Sequence, residues 1–278
     1  MSHPFKRLPD AFRALLVALA LAVPTIGHAA LDHQYPGWQA LLEKHVAWTP
    51  QGGASTVDYQ GFLADREALG EVLQRLSSVT LAQYEGFSRD QQLAFLINAY
   101  NAFTVELILT KYPDLTSIKD LGSFFSSPWK KAFFSLLGQQ RTLDWIEHEM
   151  IRAPGVFDEP RIHFVVNCAS VGCPALRPGA MLATRLEQQL ADSTRRFLGD
   201  RSRNRYDPAA KRLLVSKIFD WYGGDFAKGH QGIDSLEQFF ASHAQLLADG
   251  GADCGRSVRM AGEKTIRFLD YDWSLNRR

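Results

Sequence analysis

The residues best suited to chemistry stand in one block, RIHFVVNCASVGCP, at residues 161–174. A short apolar run carries His163, Asn167 and Cys168, and the turn that follows holds Cys173. A cysteine thiolate is a nucleophile, and a histidine can transfer a proton near neutral pH. The block is therefore the first candidate for catalysis, and its two cysteines are equally suited to a structural disulfide.

The apolar run at residues 162–167 predicts a buried β-strand. Side chains alternate between the two faces of a strand, so His163 and Cys168 would lie on opposite faces. They would also be far apart along the strand, at roughly 3.3 Å per residue. A dyad of these two residues would need a bulge. The alternatives are that Cys173 folds back or that His148 approaches from elsewhere.

Three interpretations of the pair Cys168 and Cys173 stay open. The glycine between them lets the chain turn, so that a disulfide with its Cα separation of about 5.5–6 Å could form in an exported protein. The thiols could instead be reactive or redox-sensitive. Metal binding would need His163 or His148, and no second C-x-x-C or H-x-x-x-H motif supports it, so no cofactor is predicted. Cys254, in a glycine-rich loop, is expected to be unpaired.

A long buried helix is predicted just before this block. Ser88 and Gln91 form a capping box, and the helix they open is expected to run to about Lys111, ahead of Pro113. The segment is apolar on all sides, which is typical of a helix inside a protein core.

Two amides, Asn98 and Asn101, share a face of this helix with Tyr100 nearby. Buried amides need hydrogen-bond partners. They could bind neighbouring backbone, or they could line a pocket and hold a polar substrate, for which Tyr100 and Asn167 are further candidates.

Asp144, His148 and Arg152 recur at i,i+4 steps on a helix predicted over residues 143–152. Such a ladder is typical of an ion-paired surface. The functional alternative is that Asp144 orients His148 as a general base beside the cysteines.

Asp220, Tyr222 and Asp225 flank two glycines in the segment IFDWYGGDF. These side chains could bind substrate or a cation, or they could cap turns. The C-terminal residues 271–273 are expected to close the core. The aromatic segment 124–134 is predicted to be either a lid or part of the core.

The chain begins like an export signal. Basic residues precede a short apolar run, and small residues then mark a cleavage site after Ala29, with Ala30 as the alternative. We therefore predict a signal peptide at 1–29, an N-terminal helical extension at 30–80 and one globular domain at 81–276. No later stretch is expected to span a membrane, so the mature protein is expected to be periplasmic or secreted. The net charge of +1 gives no reason to expect nucleic acid as a partner.

The predicted elements indicate a mostly helical α+β protein with a small segregated sheet. A hairpin is predicted at residues 205–215, with Asp207 and Pro208 in its turn. Asp234 and Glu237 are expected to cap a later helix. The remaining predicted elements are helices at 35–48, 59–76 and 182–198 and a strand at 265–269.

Five blocks together are informative: QLAFLINAYNAFTV, LDWIEHEMIR, RIHFVVNCASVGCPAL, KIFDWYGGDF and YDWSLN. The chain from about Leu81 to Asn276 resembles the domain-of-unknown-function 547 family, and in particular its exported bacterial branch. That resemblance implies no reaction.

The leading functional hypothesis is a hydrolase or transferase whose pocket lies between the asparagine helix and the cysteine block. His163 or His148 would be its base and Cys168 or Cys173 its nucleophile. The competing hypothesis is a non-catalytic envelope binding or assembly module with a structural disulfide. The expected partner is a small molecule or an envelope protein.

Overall fold

The computed structural model describes residues 30–122, 127–249, 256 and 265–278. The predicted signal peptide, Phe124, Phe125 and Cys254 therefore lie outside the described residues. The N-terminal part is helical with one small hairpin. Its elements are α1 (Pro36–His45), β1 (Val46–Trp48), β2 (Ser55–Val57), α2 (Tyr59–Ala64), α3 (Arg66–Ser77) and α4 (Leu81–Glu85). The single helix predicted over 59–76 is wrong in one respect, because the chain breaks at Asp65 between α2 and α3.

Helix α5 (Arg89–Leu109) is the central element of the fold. Its predicted capping box is confirmed: the amide of Gln91 donates to Ser88 Oγ at 3.3 Å, and the amide of Ser88 donates to Gln91 Oε1 at 2.9 Å. By length and composition α5 could cross a membrane, contrary to expectation, and it is the one such helix among the described residues. However, 89% of its most apolar stretch is buried inside the protein, as in the core helix of a globular domain.

The middle of the chain contains the least regular structure. After α5 come two short 3₁₀ turns, Ile118–Leu121 and Pro128–Lys130, and a hairpin of β3 (Phe134–Leu136) and β4 (Gln139–Arg141). The helix predicted at 143–152 is present, but Trp145–Ile151 is a π-helix, a rare form that concentrates at functional sites.

The strand predicted at residues 162–167 is wrong, because Pro160–Phe164 is a 3₁₀ helix. Pro160 occupies the first turn, where its fixed φ suits a helix. The Glu159 side chain accepts a hydrogen bond from the amide of Arg161 and so caps this turn. A short apolar run does not distinguish a buried strand from a buried helical turn, and the Glu-Pro pair favours the turn here.

The C-terminal part returns to a helix-and-hairpin pattern. Its elements are α6 (Leu186–Gly199), β5 (Arg205–Asp207), β6 (Arg212–Val215), α7 (Ile218–Tyr222), a 3₁₀ helix (Gly223–Ala227), α8 (Leu236–Ser242), α9 (Ala244–Leu247) and β7 (Ile266–Phe268). The predicted hairpin is confirmed by the antiparallel pairing of β5 with β6, and β7 adds to β6 in parallel. The predicted cap of α8 is wrong by one residue, since Ser235 accepts from the amide of Gln238 at 3.2 Å.

Two hydrophobic clusters form the interior. The larger one surrounds α5 and includes α1 and α3, and the smaller one joins α6, α7 and α8 with Phe164. The described residues form three sheets of only two or three strands, so the α+β prediction is confirmed. Directly before the cysteines the chain contributes to both clusters, since Ile162 and Val165 pack in the larger one and Phe164 in the smaller one.

Candidate functional site

The loop that carries the cysteines, residues 165–173, is held by the last segment of the chain, residues 271–276. The amides of Val171 and Gly172 each donate to a carbonyl of that segment at 2.8 Å. The glycine at position 172 allows this close approach, because a Cβ there would lie only 3.0 Å from the backbone N and O of Asp272. This pairing brings the C-terminal aromatic residues against the cysteine loop.

A cavity of about 290 Å³ opens beside this loop, where the two hydrophobic clusters meet. All four predicted catalytic residues line it: His148, His163, Cys168 and Cys173. Its other lining residues are Tyr100, Trp129, Asp144, Glu147, Val166, Ile218, Trp221, Tyr222, Tyr271 and Trp273. The cavity therefore joins residues from six separate segments of the chain.

Cys168 is partly exposed, whereas Cys173 is buried. The Cys168 Sγ lies 3.1 Å from both Ser170 Oγ and Tyr271 Oη. Burial alone would raise the pKa of the Cys168 thiol, but hydrogen bonds from Cys173, Ser170 and Tyr271 outweigh that effect and lower the pKa to about 7. Burial raises the pKa of Cys173 well above its ordinary value. A substantial fraction of Cys168 is therefore thiolate at neutral pH, while Cys173 keeps its proton.

His163 is paired with a carboxylate from a distant segment. Its Nε2 lies 2.7 Å from Asp225 Oδ2. Burial alone would raise the pKa of Asp225, but hydrogen bonds from His163, Arg152 and Lys228 lower it far below its ordinary value. Burial lowers the pKa of His163, so its imidazole is neutral near pH 7. Because an ionised carboxylate only accepts hydrogen bonds, the proton of neutral His163 is on Nε2 and the lone pair is on Nδ1.

Tyr222 fixes the plane of the histidine ring. The two rings stack with centroids 4.1 Å apart and an interplanar angle of 26°. Arg152 lies over the Tyr222 ring at 4.6 Å, and its Nε contacts Asp225 at 2.5 Å. The Tyr222 hydroxyl donates to the buried carboxylate of Glu147. His163 is thus held by a stacked ring and a charged hydrogen bond, an arrangement that restricts its rotation.

The π-helix forms one wall of the cavity. The ladder predicted there is present: Asp144 Oδ1 lies 4.0 Å from His148 Nε2, and Arg152 contacts His148 Nδ1. Burial is the main cause that raises the pKa of Asp144. Of the three residues, Asp144 and His148 line the cavity, and Arg152 reaches past it to Asp225.

The asparagines are bonded to backbone rather than facing the cavity. Asn98 donates to Met181 O at 2.8 Å and accepts from the Met181 amide at 2.9 Å. Asn101 makes the same pair of bonds to Val165 O and the Asn167 amide, both at 2.9 Å. These bonds match the structural alternative for the two amides, and neither residue lines the cavity.

Asn167 also holds the cysteine loop. Its Nδ2 donates to Pro174 O at 2.7 Å, and its Oδ1 accepts from the amide of Ala169 at 2.9 Å. Ala169 adopts a left-handed conformation with φ of 62°, which costs roughly 1 kcal/mol for a residue with a Cβ. The bonds of Asn167 stabilise this bend, which places Cys168 at the cavity.

The sequence argument against a Cys168–His163 pair assumed that both residues lie on one β-strand. Because that strand is absent, the argument no longer applies. In the 3₁₀ helix and loop that replace the strand, both residues line one cavity. Among the described residues, the side-chain partners of Cys168 are Ser170, Tyr271 and Cys173, and His163 bonds Asp225. The two thiols are free, so the disulfide stays a prediction.

Asp220 and Asp225, the two acidic residues of the IFDWYGGDF segment, differ in their partners. Asp225 supports His163, whereas Asp220 pairs with Lys217 at 2.7 Å and does not line the cavity. Within the described ranges, no group of three or more His, Cys, Asp or Glu residues is placed to hold a metal ion.

Sequence reasoning missed Glu147, Ser170 and Tyr271 as site residues. Tyr271 was expected only to close the core, but it also contacts the Cys168 thiol. Its position in the YDWSLN block was the available signal. The described residues of the aromatic segment 124–134 have two different positions. Trp129 lines the cavity, whereas Phe134 stacks on Phe103 in the core with ring centroids 3.9 Å apart.

The fold and site define a helix-dominated α+β protein with a cysteine–histidine cavity. Residues 84–198 match the family model described as "Protein of unknown function, DUF547", which supports this domain family for that part of the chain. No curated protein and no solved structure matches the chain. The matched residues include α5, the π-helix and the cysteine loop, but Asp225 and Tyr271 lie beyond them.

Proposed function

We propose that the protein is a thiol-dependent hydrolase or acyltransferase, with Cys168 as the nucleophile and His163 as the proton acceptor. One observation carries this proposal: Cys168, a partly exposed residue whose thiol pKa is lowered to about 7, lines the same cavity as His163, which is paired with Asp225. A lowered thiol pKa and an oriented neutral histidine are what nucleophilic catalysis by cysteine requires.

In the proposed reaction, the Cys168 thiol gives its proton to His163 Nδ1 as sulfur attacks the carbonyl carbon of an acyl substrate. Asp225 stabilises the resulting imidazolium. The tetrahedral intermediate then collapses to a thioester, and the leaving group departs with the proton from His163. Water or another acceptor attacks the thioester while His163 takes its proton, and the acyl product leaves as Cys168 regains a proton.

The other predicted catalytic residues have supporting positions in this scheme. Cys173 keeps its proton and hydrogen-bonds the Cys168 sulfur, which stabilises the thiolate. His148 is half-exposed and its Nδ1 contacts Arg152, so we assign the base to the buried His163 instead. We place the reaction in the periplasm or outside the cell, as the N-terminal pattern predicts, and the chain in the exported bacterial branch of its family.

The test is covalent trapping with an activated ester. Purified protein is mixed with p-nitrophenyl acetate, release of nitrophenol is followed, and the acid-quenched protein is analysed by mass spectrometry. We expect a burst equal to the protein concentration and an acetyl group on Cys168. The variant His163→Gln should lower the rate of the burst by on the order of 10²-fold or more.

Cys173→Ser is the matched control for Cys168→Ser. The first should retain a burst, and the second should abolish it while leaving the circular dichroism spectrum unchanged. Acetylation that is absent from Cys168, or equally fast in His163→Gln, would refute the catalytic proposal. Unreactive thiols joined as a disulfide in the mature protein would favour the envelope binding module instead.

A further inference from the structure

The cavity has an uneven charge. Its lining includes the carboxylates of Asp144 and Glu147 but no lysine or arginine among the described residues. His163 is neutral at pH 7 for the reason given above, and a Cys168 thiolate would add a further negative charge. A ligand that enters therefore meets a negative potential, which low-dielectric walls concentrate.

Three other carboxylates in this fold, unlike the two that line the cavity, have an arginine partner. Asp225, Glu159 and Asp192 each pair with an arginine at 2.5–2.8 Å. Glu147 is more buried than these residues, yet the partner found for its carboxylate among the described residues is the neutral hydroxyl of Tyr222. Asp144 makes no close ion pair with lysine or arginine among the described residues: the half-exposed His148 lies 4.0 Å away, and Lys130 acts on the carboxylate only over a longer distance. Carboxylates removed from water without a close cation are costly unless a partner arrives.

Four aromatic rings line the same cavity as these carboxylates. Trp129, Trp221, Tyr271 and Trp273 form one cluster, with neighbouring ring centroids 4.5–6.1 Å apart. Trp221 is 43% exposed. Tryptophan faces attract ammonium groups, and such contacts strengthen when water is excluded. Lys119 already lies over the Trp273 ring at 3.9 Å without lining the cavity, so this cluster engages cations in the folded protein.

We propose that the cavity binds a positively charged amine, held between this aromatic cluster and the carboxylates of Asp144 and Glu147. This inference rests on the proposed function, for which it names the substrate class: an acyl compound that carries an ammonium group near its carbonyl. A volume of about 290 Å³ accommodates on the order of ten heavy atoms, taking roughly 30 Å³ for each as for water. The group that enters is therefore the size of one amino-acid residue.

The test compares two thiol reagents of opposite charge. The Cys168 thiolate attacks a methanethiosulfonate, forms a mixed disulfide and releases methanesulfinate. The trimethylammonium-ethyl reagent is cationic and the sulfonato-ethyl reagent is anionic. Their rates on Cys168 are read by peptide fragmentation and divided by their rates on a small free thiol. We expect a preference for the cation of roughly tenfold or more.

The double variant Asp144→Asn, Glu147→Gln should bring this ratio down to that of the free thiol. Glutamine at 147 still accepts the Tyr222 hydrogen bond, which protects the fold, and the single variant Asp144→Asn should give an intermediate ratio. Asp220→Asn is the matched control, since Asp220 is an acidic residue that does not line the cavity. A reactive Cys168 without charge preference would overturn the amine proposal and leave the thiol mechanism intact.

A second measurement does not need a reactive thiol. Quenching of tryptophan fluorescence is titrated with choline and with its uncharged analogue 3,3-dimethylbutan-1-ol. Choline alone should quench in a saturable manner, and Trp221→Leu should weaken its binding severalfold. Saturable choline binding with an inert Cys168 would support the cation pocket and remove the enzyme proposal. Equal binding of both compounds, or of neither, would overturn the cation pocket.

Discussion

Polar side chains lie in apolar surroundings in two regions, at the two asparagines of α5 and along the cavity. Their hydrogen-bond partners differ between the two regions. The side-chain amides of Asn98 and Asn101 each donate one hydrogen bond to the backbone and accept one from it, and the four bonds are 2.8–2.9 Å long. His163, Cys168 and Glu147 bond other side chains and still line an open cavity. Burial of a polar residue is therefore a poor sign of function, and the type of its partners is a better one.

The comparison implies different consequences for mutation. A side chain that satisfies buried backbone groups cannot be removed without leaving those groups unpaired. A side chain that lines a cavity can be removed at little cost in stability, because water or a neighbour replaces its contacts. The following predictions test that difference, from the largest expected effect to the smallest.

Asn101→Ala should have the largest effect on stability. It leaves the Val165 carbonyl and the Asn167 amide buried without partners, at about 1–3 kcal/mol for each group. We expect the free energy of unfolding in urea to fall by about 3 kcal/mol. Cys168→Ser is the matched cavity variant and should change it by less than about 1 kcal/mol. Equal losses in the two variants would break the comparison.

Asp225→Asn should have the next largest effect, and it should depend on pH. The folded-state pKa of Asp225 is depressed, so its contribution is present above the unfolded value of about 3.9 and is lost as pH falls from there towards the folded value. We expect a loss of about 2 kcal/mol at pH 7 that shrinks below about pH 4. Urea unfolding from pH 3 to 7 measures this difference.

Asp220→Asn is the control, because its ion pair with Lys217 is exposed and should contribute less than about 1 kcal/mol. A difference between Asp225→Asn and the unmodified protein that stays constant with pH would show that Asp225 acts through packing alone.

Tyr271→Phe should change the thiol rather than the fold. The hydroxyl that is lost lies 3.1 Å from the Cys168 sulfur and helps to lower its pKa. We expect the pH at which iodoacetamide alkylation of Cys168 reaches half its maximum rate to rise from about 7 by roughly one unit. Tyr100→Phe also alters a cavity tyrosine, and it should leave the midpoint in place. An unchanged midpoint in Tyr271→Phe would show that the Tyr271 hydroxyl does not lower the pKa of Cys168.

Local patterns predicted part of this molecule well. The Ser88–Gln91 box and the apolar run after it located α5, because capping and periodicity act over a few residues. The cysteine block located the cavity. The features that the sequence did not predict depend on long-range contacts. The contact of Tyr271 with the thiol, for example, follows from the pairing of segment 271–276 with the cysteine loop. The bond from His163 to Asp225 joins residues 62 positions apart, and no spacing rule could have assigned it.

The smallest predicted effect concerns the backbone beside the nucleophile. Ala169 has φ of 62°, a conformation that a glycine adopts without the steric cost. Ala169→Gly should raise the free energy of unfolding by only about 0.5 kcal/mol, because the greater freedom of glycine in the unfolded chain offsets most of the relief. Lys211, with φ of 50° in the turn between β5 and β6, provides the matched control Lys211→Gly with a similar gain.

The two variants should differ in the reactivity of Cys168. If the bend at position 169 holds the sulfur between Ser170 and Tyr271, Ala169→Gly should slow alkylation of Cys168 at pH 7 severalfold, whereas Lys211→Gly should not affect it. Hydrogen bonds lower the pKa of a thiol only while geometry keeps the donors in place. Equal alkylation rates in both variants would show that the side-chain bonds alone fix the sulfur, and that Ala169 belongs with Asn98 and Asn101 among the residues that support the fold.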